Sequence, residues 1–91
     1  MPKFVIERDI PGAGGMSAND LMAASQKSCS VLGALGAEIQ WIHSYVTDNK
    51  IYCVYTAPSK DLIEQHAQES GFPANNISEV KAMIDPTRAN A

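Results

Sequence analysis

No stretch of this sequence runs to the roughly 18 consecutive apolar residues that a bilayer-crossing helix requires, so no membrane partner is expected. Its opening residues, MPKFVIERDI, lack a basic segment followed by an apolar one, so no secretory leader is expected. Basic charge is scarce and scattered. Seven Lys and Arg stand against ten Asp and Glu, for a net charge of −3. A nucleic-acid binder needs a basic stripe to neutralise phosphates, so no nucleic-acid partner is expected either. Cysteine is limited to Cys29 and Cys53, whose separation fits no zinc or redox spacing. Free thiols in a cytoplasmic protein are the expectation. The glycines at 12, 14 and 15 fit neither GxGxxG nor the P-loop, and PGAGG reads as a flexible loop. There is no HExxH, EF-hand, Ser-His-Asp or Cys-His arrangement, so no motif names a reaction.

What is present suits one small domain over residues 1–91. Hydrophobic residues make up 45% of the chain, which excludes wholesale disorder. Residues 3–8 (KFVIER) read as a strand. Ser17 is an N-cap with Asp20 three positions on, opening a helix that Gly36 stops. Leu21, Ser25, Ser28, Leu32 and Leu35 share one face of it. Those small residues predict close packing on a sheet. Residues 38–47 and 50–57 read as two strands around Asp48-Asn49, whose residue types tolerate the positive φ of a tight hairpin. A second helix, KDLIEQHAQES, follows Ser59 and stops at Gly71. Residues 77–84 alternate as a fourth strand, and residues 86–91 form a frayed tail. The order β-α-β-β-α-β predicts an α+β fold: the ferredoxin-like sandwich, a four-stranded antiparallel sheet with both helices on one face.

Alternation then assigns faces. A two-residue turn at Asp48-Asn49 pairs Tyr45 with Tyr52, His43 with Val54 and Ser44 with Cys53. Phe4, Ile6, Ile42, Ser44, Val46, Ile51, Cys53, Tyr55, Val80, Ala82 and Ile84 are assigned to the helices. The open face collects Trp41, His43, Tyr45, Tyr52, Glu7, Glu79 and Lys81. It is too aromatic for plain solvent and too polar for a core, so it reads as a ligand surface or a homodimer interface. A one-residue slip would instead put His43, Tyr45, Cys53 and Tyr55 together.

His43 is then either a ligand or acid–base group, with Glu7 as its carboxylate, or a hydrogen-bonded histidine in the dimer interface. His66 lies near the end of the second helix, as a ligand or as a boundary residue packing on the sheet. Cys53, and Cys29 with it, read as buried small hydrophobes.

The chain resembles a family of small bacterial ferredoxin-like proteins of unknown function, often labelled nickel-binding proteins. The shared pattern is KFVIERDIPGAG, then WIHSYVTDNKIYCVYTAP, then HAQESGFPANNISEV. The resemblance implies a dimeric cytoplasmic protein holding divalent nickel (Ni2+). Imidazole suits nickel, which makes His43 the first candidate ligand, followed by Glu7 and His66. With two histidines in the chain, ligands shared across a dimer or water would have to complete the sphere. The fold also resembles cofactor-independent monooxygenases. That alternative, or a small-ligand binder, predicts an apolar pocket of about 300 Å³ or more reached by His43 or a tyrosine. A third alternative is a dimerisation module without ligand.

Overall fold

The computed structural model describes residues 1–89. Strands β1 (Lys3–Asp9), β2 (Gln40–Val46), β3 (Lys50–Thr56) and β4 (Asn76–Glu79) form one sheet of order β2-β3-β1-β4. Every neighbouring pair is antiparallel. Helices α1 (Ala18–Leu35) and α2 (Lys60–Ser70) follow β1 and β3. Both meet the same side of the sheet at Tyr55. The Ser28 hydroxyl of α1 lies 3.3 Å from its phenolic oxygen, and the His66 ring of α2 lies 5.1 Å from its ring. This is the ferredoxin-like α+β sandwich.

Local chemistry accounts for most element ends. At α1 the Ser17 hydroxyl accepts from the Asp20 amide at 3.0 Å, and the Asp20 carboxylate accepts from the Ser17 amide at 3.3 Å. Two free N–H groups of the first turn are thereby satisfied. Gly71 ends α2 at φ 75°, in the left-handed region that favours glycine. The core beneath the helices joins Phe4, Ile6, Ile39, Cys53, Tyr55, Ala57 and Ile63.

Several expectations require correction. The fourth strand covers only Asn76–Glu79. Beyond it the Val80 amide donates to the Lys3 carbonyl, and there β1 runs out. The next partner would be Pro2, which has no N–H and whose carbonyl already accepts from Ala57. With no ladder left, Ala82 and Ile84 stay exposed, Ile84 at 78%. The face of β4 is also shifted by one residue. Ile77 pairs with Ile6 and Glu79 with Phe4, so Glu79 shares the helix side and is not on the open face. At its edge position it pairs with Lys81 at 2.8 Å. Of the tail, Pro86–Ala89 makes a single 3-10 turn, and residues 90–91 lie outside those described.

The β2–β3 register is the expected one from His43 onward, but a bulge lies between Trp41 and His43. The extra residue reverses the alternation before it. Trp41 stands opposite Tyr55 on the helix side, and Ile42 is exposed. The Trp41 indole N–H donates to Ser44 Oγ at 2.9 Å, on that same side. Among the described residues only glycines have positive φ, so Asp48-Asn49 does not use the conformation expected of it.

The PGAGG loop supports that turn instead. The Ile10, Gly12 and Gly14 amides donate to Asn49 O, Asn49 Oδ1 and Asp48 O at 3.0, 3.1 and 3.0 Å. Gly14 sits so close that an added Cβ would lie 2.9 Å from Asp48 Cα. The loop expected to be flexible is a clasp with Ala13 buried.

Candidate functional site

The open face carries Val5, Glu7, His43, Tyr45, Tyr52, Val54, Asn76 and Ser78 by register. His43 and Tyr45 stack edge-on at 4.9 Å between ring centroids, both exposed, Tyr45 at 61%. Glu7 is two strands away, opposite Tyr52 on β1, and two positions along. Strand spacing alone separates it from His43 by about 10 Å. Its carboxylate is engaged elsewhere, by Asn76 Nδ2 at 3.1 Å and Lys50 Nζ at 3.5 Å. Those two partners, Asn76 first, hold its pKa below the ordinary carboxylate value.

His66 lies behind the sheet with no exposed surface. Its Nε2 is 3.2 Å from Ser28 Oγ, and its Nδ1 has no partner. Burial, reinforced by the Arg8 charge, pushes its pKa below the ordinary imidazole value of 6.5, so the ring is neutral at pH 7. The structure therefore does not bring His43, Glu7 and His66 together. Among the described residues no three His, Cys, Asp or Glu side chains are grouped as a metal site. Cys53 is buried as expected, but Cys29 is exposed, because it lies one position past Ser28 and turns away from the sheet.

The helix side holds a feature of a different kind. Between the first half of α1 and the sheet is a cavity of about 580 Å³. Its walls are mainly apolar, with Leu21, Trp41, Ile51, Tyr55 and Phe72 prominent. The small inward residues of α1, Ala24, Ser25 and Ser28, line its roof. Small side chains permit close packing. Here they leave a hollow instead.

Arg8 forms part of that wall, 2% exposed. It follows Phe4 and Ile6 on the inward side of β1, so the strand's own period carries a guanidinium into the core. Nη1 donates to the Pro73 carbonyl at 2.8 Å and Nε to Cys53 Sγ at 3.4 Å, while Nη2 has no acceptor. The Phe72 ring lies 5.8 Å away, within cation–π range. Among the described residues no carboxylate pairs with Arg8. Asp9 lines the cavity as well, but its carboxylate pairs with Lys50 at 3.6 Å, on the open-face side of the register. Arg8 escaped the face assignment made from sequence, which ended at Glu7 on the open face, although the same alternation extended by one residue would have placed Arg8 inward.

The fold is shared with a known structure, and the sequence matches a known family. Residues 4–80 match the family described as Nickel responsive protein SCO4226-like. The chain belongs to this family. The match runs from Phe4 in β1 to Val80 just past β4 and includes both helices, in agreement with the resemblance carried by the motifs. The crystal structure of SCO4226 from Streptomyces coelicolor A3(2) is similar, with a TM-score of 0.75 at 20% identity over 90% of this chain and 99% of that chain. At that identity the likeness supports the fold alone. No curated protein matches the sequence.

Proposed function

We propose that this protein acts without catalysis, as a cytoplasmic homodimer that binds nickel at its open sheet face. The family description, nickel responsive, supports the metal, and the exposure of His43 supports the place. His66 is sealed behind the sheet, which leaves His43 as the chain's one accessible imidazole. The residues of a single chain do not fit a closed nickel site. Two copies joined through Tyr45, Tyr52 and the surrounding open face would contribute two imidazoles, with water or carboxylate oxygens completing the sphere. Calorimetric titration of tag-free protein with nickel chloride tests this, together with sedimentation of the same samples. The expected result is micromolar binding of one ion per two chains, lost in His43→Ala. Tight binding that survives His43→Ala would remove the site, and a monomer at every concentration would remove the dimer.

A second reading is favoured by the cavity, which exceeds the size expected of a small-ligand binder and is lined by Trp41 and Tyr55. Its supporting residue is a tyrosine, since His43 lies on the opposite side of the sheet.

A further inference from the structure

The cavity joins two properties that are costly apart. Its walls are apolar, and one of them is a cation. A guanidinium does not lose its proton at accessible pH, so burial cannot neutralise Arg8 as it neutralises His66. Burying an unpaired charge is strongly unfavourable, and a native structure ordinarily provides a carboxylate beside it. Arg8 instead has a backbone carbonyl, a thiol and an aromatic ring, all neutral groups. A second cation, Lys27, stands 5.7 Å from the Phe72 ring, so positive charge flanks that end of the cavity.

We propose that the cavity binds a small organic monocarboxylate whose apolar body fills the space beneath α1 and whose carboxylate neutralises Arg8. The inference rests on the small-ligand reading and names the ligand class for that site.

The donor inventory sets the charge. Of the three guanidinium nitrogens only Nη2 is without an acceptor. Nη2 carries two N–H groups, and both are without an acceptor, which suits one carboxylate and under-serves a phosphate dianion, which takes more donors. The Ser28 and Tyr55 hydroxyls, 3.3 Å apart, can turn toward the second oxygen. Burial holds the Tyr55 phenol above its ordinary pKa, so it remains a proton donor. The volume of about 580 Å³ admits a body of phenylalkyl or medium-chain size.

The test is calorimetric titration of the full chain with 4-phenylbutyrate and octanoate, each beside its neutral alcohol, 4-phenylbutanol and octanol. The acids are expected to bind at least tenfold more tightly than the alcohols. Arg8→Met should abolish that preference. Ala24→Trp, which fills the roof and leaves Arg8 in place, should abolish acid binding. If Arg8→Met does not fold, the wild-type comparison and Ala24→Trp still decide. Equal affinity for acid and alcohol in the wild type would overturn charge recognition while leaving a ligand cavity. Binding of neither would overturn both readings. Acid binding unaffected by Ala24→Trp would place it outside the cavity and overturn the proposal. Inorganic phosphate binding as tightly as the acids would assign the site to a bare anion and overturn the apolar body.

Discussion

The two helices cover the same side of one sheet, yet they cover it differently. Helix α2, with 11 residues, buries Ile63, His66, Ala67 and Ser70; helix α1, with 18 residues, buries only Ser28. Beneath α2 the branched Ile63 side chain meets the sheet core directly. Beneath the first half of α1, alanine and serine face large sheet residues, and the space between them stays open. Packing density is thus set by the sum of side-chain volumes across a layer and not by helix length. The filled half supports the fold, and the hollow half is free to take a ligand.

Truncation should separate the two halves most sharply. Ile63→Ala opens a void in a packed region and should cost about 2–5 kcal/mol, read from urea denaturation. Leu21→Ala only enlarges a space that already exists and should cost about 1 kcal/mol or less. Equal losses would mean that the cavity closes in solution. The clasp at the end of the hollow half should give the next largest effect. Gly14→Ala drives a methyl group against the Asp48 backbone, and a cost of about 1–3 kcal/mol is expected in the same assay. Gly15→Ala meets nothing within 4 Å and serves as the control.

The smallest effect concerns the boundary between the halves, where His66 of α2 touches Ser28 of α1. Its folded pKa lies below 6.5, so in the interval between the two values the unfolded chain binds a proton that the folded chain refuses. That contribution to stability is complete above pH 6.5 and is lost as pH falls from there toward the folded value. The urea midpoint should therefore decline as pH falls below about 6.5, and His66→Gln should flatten the decline. A decline unchanged in His66→Gln would assign it to other groups.

Much of this architecture can be read directly from the residues. The Ser17–Asp20 cap, the Gly36 and Gly71 stops, the inward Phe4 and Ile6, and the Tyr45–Tyr52 register all follow from rules that act within a few positions. The candidate site was less accessible. Tyr55 and Ser28 were assigned inward, as found, but Trp41 was placed on the wrong face because a one-residue bulge leaves no mark in a pattern of period two. Glu79 was misplaced because strand four was extended past the residue at which its partner ends.

The sequence by itself determined the order of elements, the helix ends and the inward-facing rows, because alternation, helical period and capping are local properties of the chain. Only the tertiary structure decided that PGAGG clasps the hairpin, that His43, Glu7 and His66 lie apart, and that a cavity stands beside an uncompensated Arg8. Those outcomes depend on which volumes and charges meet across a layer, and residues distant in sequence meet only once the sheet and helices are assembled.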